Sequence, residues 1–84
     1  MKEATLAGLQ GAIQVDPGNA RLAANFGWRL ADYALKKGSD LAEIRRARGE
    51  ADFQEQRALK LAPDNVEVQR LCADIVKLLQ FNSE

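Results

Sequence analysis

From Leu6 onward, apolar residues recur every three or four positions, and the runs are cut at three places: Pro17-Gly18, Gly38 and Pro63. That spacing lines apolar side chains along one side of a helix. No segment alternates apolar and polar residues with β-branched enrichment, so no strand is expected. Four helices are predicted instead. The first covers 2–15, with Leu6, Leu9, and Ala12 or Ile13 at helical steps. Gly8 and Gly11 weaken it by about 1 kcal/mol each relative to Ala, unless they admit a neighbouring helix. The second covers 20–37 behind Asn19, whose side-chain oxygen suits an N-cap. It carries two apolar stripes: Leu22, Phe26, Leu30 and Ala34, and Ala24, Trp28, Ala31 and Leu35. A helix apolar on two sides is gripped from two sides. Lys36, Lys37 and Gly38 fit its C-terminal end.

The third helix covers 41–62, with Asp40 and Glu43 as a capping box. Its buried side reads Leu41, Ile44, Ala47 or Arg48, Ala51, Gln54 or Glu55, Ala58 and Leu61. Phe53 falls off this line, so it meets a second neighbour or stands partly exposed. Arg46 and Glu50 are spaced for an i,i+4 pair, and Gly49 is a weak point or a point of close approach. Pro63 ends this helix at Ala62. The fourth covers 65–81 and starts at Asp64 or Asn65, with Asp64 and Glu67 spaced as a second capping box. Its apolar face is Val68, Leu71, Cys72, Ile75, Val76 and Leu79, widened by Leu78 and Phe81. The last three residues, 82–84, are expected to fray.

Composition removes several classes of function. The chain has 84 residues, enough for one domain with a modest core. Lys plus Arg equals Asp plus Glu at 12 each, so no basic surplus points to nucleic acid or an anionic membrane surface. No apolar run reaches the roughly 18 residues of a membrane span, and the first residues lack a signal-peptide pattern. Histidine is absent, which removes the commonest general base and metal ligand. Cys72 is the one thiol, so a reducing, cytoplasmic setting is expected. It falls on an inward helix position with no base to activate it, as a buried structural cysteine would. The carboxylates Asp16, Asp32, Asp40, Glu43, Glu50, Asp52 and Glu55 could suggest paired acid/base work, but most fall at caps or on solvated helix faces, and the glycines form no phosphate cradle. No catalytic residue, cofactor or metal is expected. The sharpest charge cluster is RRAR, in which Arg45, Arg46 and Arg48 could grip a carboxylate or phosphate, or simply face solvent balanced by Glu43 and Glu50.

The two prolines sit in the same setting. IQVDPGNARL and LKLAPDNVEV each run from apolar residues through Pro-x-Asn into a new helical segment, and Pro17 and Pro63 are 46 residues apart. In this register Ala12 matches Ala58, Asn19 matches Asn65 and Gly27 matches Ala73. A two-helix unit repeated along the chain stacks because one unit cannot bury its apolar face alone.

At these residues the chain resembles the tetratricopeptide repeat family. AIQVDPGNARLAANFG and ALKLAPDNVEVQRLCA look like that family's inter-repeat joint: Ala, four residues and then Pro (Ala12 to Pro17, Ala58 to Pro63), an Asn-led start, an apolar residue, and a small residue at the eighth helix position. The chain departs from the pattern in its period, which exceeds the usual roughly 34 residues, and in having Ala23 where a large aromatic is expected.

The resemblance implies an all-α fold of antiparallel helical hairpins, a right-handed superhelical array of about four helices. It would be a single domain over 1–84: a half repeat at 1–16, one extended repeat at 19–62, and another half at 65–81. It implies a non-catalytic protein–protein interaction module. Asn25, Arg29 and Asp32 would face the inner groove, with Asn25 at a position where peptide-binding members often carry Asn. Tyr33 and the arginines 45, 46 and 48 are further candidates for partner contact, and Trp28 reads as core. The expected partner is a protein or peptide, with neither nucleic acid nor membrane. The alternative is a structural module that pairs with itself as a homodimer through Leu71, Ile75, Leu78, Leu79 and Phe81, or an excised or engineered repeat fragment without a ligand.

Overall fold

The structure, a computed structural model, describes residues 6–37 and 40–81, and for Lys37 and Phe81 the backbone alone. It is all-α: α1 (Leu6–Val15), α2 (Ala20–Lys37), α3 (Leu41–Leu61) and α4 (Val66–Phe81), with no strand among the described residues. The expected start of the first helix at 2–5, the turn at Gly38 and the fraying at 82–84 lie outside the described residues.

Side-chain caps set the three later helix starts. The Leu22 amide donates to Asn19 Oδ1 at 3.1 Å, and the Glu43 amide donates to Asp40 Oδ1 at 3.1 Å. Each satisfies one backbone donor that the first turn leaves without a helical acceptor. At α4 the Val68 amide donates to Asn65 Oδ1 at 3.1 Å. The cap is therefore Asn65 and not the Asp64 of the expected capping box. Asp64 lies one residue before the cap, and Glu67 instead takes a hydrogen bond from Arg21 at 2.8 Å.

The two proline corners carry the same backbone bonds, 46 residues apart. Asp16 N donates to Ala12 O at 2.9 Å, and Ala62 N to Ala58 O at 3.0 Å. Asn19 N donates to Asp16 O at 3.2 Å, and Asn65 N to Ala62 O at 3.3 Å. Ala23 N and Gln69 N then donate to the two cap carbonyls. Proline in each corner lacks an N–H and so cannot continue a helical ladder.

Helix α2 is the hub. It touches every other helix, α3 most extensively, whereas the α1 backbone approaches α2 alone. Leu9, Phe26, Leu30, Ala31, Ala34, Ala47, Ala51 and Ile75 form the larger buried cluster, against which Trp28 packs. Ala23, Ala24, Ala58, Val68 and Cys72 form the second. The side of α3 that meets α2 is Ala47, Ala51, Gln54 and Ala58, so the helices come close. Gly27 marks the tightest point. A Cβ there would stand 2.9 Å from Ile75 Cδ1, 3.3 Å from the Ala51 carbonyl oxygen and 3.3 Å from Gln54 Cβ. One position thus meets both α3 and α4.

Some expected core positions lie outside it. Leu41 is 65% exposed because it is the first residue of α3, beyond the edge of the α2 contact. Leu35, Leu61 and Val76 are also exposed, and Phe53, off the buried line, is 58% exposed. Helix α3 runs without a break through Gly49, and a Cβ at Gly49 or Gly11 would meet nothing within 4 Å, so neither glycine admits a neighbour.

Gly27 and Gly49 make opposite predictions. Gly49→Ala gains helix propensity at no steric cost and should raise stability by about 0.5–1 kcal/mol. Gly27→Val overpacks the α2–α3–α4 contact and should lower it by about 1–3 kcal/mol. Urea midpoints of the two variants check this; equal shifts of one sign would contradict it.

Candidate interaction face

The helical spacing of α2 sends Arg21, Asn25, Arg29, Asp32 and Lys36 along one outward strip, opposite the buried residues Ala23, Gly27, Leu30 and Ala34. Arg21 and Lys36 are exposed and the three between them are half-buried. The ends of the strip are tied. Arg21 Nη2 lies 2.8 Å from Glu67 Oε2, joining the first turns of α2 and α4, and Lys36 Nζ lies 3.2 Å from Asp32 Oδ2. Surface ion pairs of this kind add little stability. In the middle of the strip, Asn25 and Arg29 have no hydrogen-bond or ion-pair partner among the described residues. The sequence-derived trio Asn25, Arg29 and Asp32 thus shares one face.

The other candidates part company. Tyr33 turns toward α3, where its hydroxyl donates to Glu43 Oε2 at 3.2 Å. The RRAR arginines point three ways, because successive helical residues are about 100° apart. Arg45 is exposed. Arg46 Nη2 sits 2.6 Å from Glu43 Oε2, and this hydrogen bond holds its guanidinium pKa above the ordinary value. Arg48 Nη2 donates to the Leu79 carbonyl at 3.1 Å, satisfying an acceptor in the last turn of α4. The three therefore form no common grip. The expected Arg46–Glu50 pair is also replaced: Arg46 takes Glu43 one turn earlier, and Gln54 Nε2 donates to Glu50 Oε2 at 2.9 Å.

The proposed self-association residues sit largely inside the chain. Ile75 has no exposed surface, and Leu71, Leu78 and Leu79 are half-buried against the two clusters. The side chain of Phe81 lies outside the described residues. The outward side of α4 is Gln69, Ala73, Val76, Lys77 and Gln80, mostly polar.

Gln54, one of the two residues expected at that point of the buried side of α3, is buried on the spacing of the alanines. Two features had little or no sequence signal. Arg57 reaches the Pro17 carbonyl and ties α3 to the first corner. Two surface clefts also appear. One, of about 210 Å³, is lined by Leu6, Gln10, Phe26, Leu30, Arg46 and Glu50. The other, of about 260 Å³, lies on α3 among Phe53, Gln56, Arg57 and Lys60.

Cys72 is buried, its Sγ 3.6 Å from the Glu55 carbonyl oxygen. Burial, with the Glu55 charge nearby, pushes the thiol up to about 11. Burial, helped by Asp52, also raises the Glu55 carboxyl. Among the described residues no cluster of His, Cys, Asp or Glu is placed to hold a metal ion, and no helix is long and apolar enough to cross a membrane. Compared with family models, curated proteins and solved structures, the chain matches none.

The thiol makes two expectations. Since the thiolate, not the thiol, is the nucleophile, iodoacetamide at pH 8 should leave Cys72 unmodified in the folded chain and label it in urea. Because the folded pKa is raised, the stability it contributes is complete below about pH 9 and is lost as pH rises through about 11. The gap in urea midpoint between wild type and Cys72→Ala should narrow across that window; a constant gap would contradict the raised pKa.

Proposed function

We propose that the chain is a non-catalytic protein–protein interaction module of tetratricopeptide-like build, cytoplasmic, which receives a peptide across the outward strip of α2 and the adjoining side of α4. The observation that carries this is the pair Asn25 and Arg29. They are one turn apart, half-buried and without a partner among the described residues. Half-burial restrains the side chains before a ligand arrives, which reduces the ordering cost of binding. An amide and a guanidinium together read a peptide carbonyl or carboxylate.

The repeat reading draws support from the matching corners and from Gly27. Hydrogen bonds recur at an offset of 46 residues. The small residue of the family pattern stands where α2, α3 and α4 meet. In this reading α2 and α3 are the two helices of one extended repeat, and α1 and α4 are halves of its neighbours in a right-handed array. Self-pairing through α4 is the less favoured reading, since the apolar side of that helix faces inward.

Peptides selected by display against the purified chain, then titrated by calorimetry, test the proposal. Asn25→Ala with Arg29→Ala should weaken the selected peptides by about tenfold or more, roughly 1.4 kcal/mol. The melting temperature should hold, because neither side chain has a hydrogen-bond or ion-pair partner among the described residues. Peptides whose affinity ignores both substitutions would sink the reading. Sedimentation equilibrium should meanwhile give a monomer mass at all concentrations.

A further inference from the structure

The cleft of about 210 Å³ lies apart from the α2 strip and is built from three helices. Its floor is Phe26 and Leu30 of α2, each only 6% exposed. Leu6 and Gln10, one turn apart, form the α1 wall; Arg46 and Glu50, also one turn apart, form the α3 wall. The result is an apolar base with a cation, an anion and an amide at the rim.

The α3 wall is the informative part. Arg46 and Glu50 have the i,i+4 spacing at which opposite charges usually pair. Here each is held by a different neighbour. Glu43, itself bonded by Tyr33, takes Arg46 at 2.6 Å. Gln54, buried against Gly27, donates to Glu50 at 2.9 Å. Arg46 offers five N–H donors and Glu50 two carboxylate oxygens, so one bond apiece leaves capacity on both. The supporting bonds orient the charges without joining them to each other.

From this geometry we infer that the cleft binds a free aliphatic α-amino acid. Arg46 receives the carboxylate, Glu50 receives the ammonium, and the branched side chain lies on Phe26, Leu30 and Leu6. Size agrees with a ligand well below drug size, whose clefts measure roughly 300–1,000 Å³. Charge agrees as well: an anion alone would meet Glu50, and a cation alone would meet Arg46. Gln10 on the facing wall offers an amide to either end.

The test is a chemical-shift titration of the intact chain with three probes of one shape: L-leucine, N-acetyl-L-leucine without the ammonium, and L-leucinamide without the carboxylate. The last two also stand for leucine at the C- and N-terminus of a peptide. Leucine should produce saturable shifts at Leu6, Gln10, Leu30 and Glu50, and each blocked probe should bind at least about tenfold more weakly. Arg46→Gln should bring leucine down to the level of leucinamide, and Glu50→Gln down to that of N-acetyl-leucine. Dispersed spectra of both variants establish that they fold. Three outcomes overturn the inference: no saturation by leucine at millimolar concentration, equal binding of leucine and a blocked probe, or leucine binding that ignores both substitutions. None of them bears on the peptide face of α2, which Asn25→Ala and Arg29→Ala probe separately.

Discussion

The missing side chain at Gly27 is the constraint on which this fold depends. It lets the α2 backbone lie against Ala51 and Gln54 of α3 while Ile75 of α4 closes over the same spot. In a chain this short, much of the core is alanine: Ala23, Ala24, Ala31, Ala34, Ala47, Ala51 and Ala58 are all buried. Alanine adds little apolar area, so cohesion depends on backbones approaching closely enough for dispersion contacts to accumulate. The close approach also fixes where polar groups can go. Gln54 is trapped in the contact, and its amide must find partners along its own helix, which it does at Glu50 and Arg57.

The helices were legible in the sequence because local chemistry announces them. Pro17 and Pro63 break ladders, and Asn19 and Asp40 accept the first free amides within their own turn. Where two acceptors compete within one residue of each other, pattern alone is ambiguous. Asp64 has an acid three residues on and satisfies the capping motif, yet Asn65 holds the cap. The same holds for burial. Apolar spacing placed Ala47, Ala51 and Ala58 correctly and failed at Leu41, since spacing describes a helix face and not how far along the helix its neighbour extends.

The candidate sites divide along the same line. Asn25, Arg29 and Asp32 share a face because they share a helical spacing, which sequence reveals. The arginines of α3 are neighbours in sequence and strangers in space. Arg48 serves the end of α4, thirty-one residues away along the chain, and Arg46 is claimed by a glutamate that Tyr33 also binds. The cleft beside Arg46 and Glu50 needs three helices to exist. No short window of sequence contains it.

The attachment of α1 has a consequence for motion. Its backbone meets α2 alone, and Leu9 is its one buried residue. Among the described residues, side-chain hydrogen bonds tie the other elements together: Arg57 to the first corner, Arg48 to α4, Tyr33 to Glu43 of α3, and Arg21 of α2 to Glu67 of α4. Opening α1 therefore breaks few contacts and leaves the rest of the core intact. Such a segment exchanges its amide hydrogens through local opening, at a free energy below that of global unfolding. Since Leu6 and Gln10 form one wall of the cleft, α1 is its door, and anything seated on Phe26 and Leu30 would slow that exchange by holding the door shut.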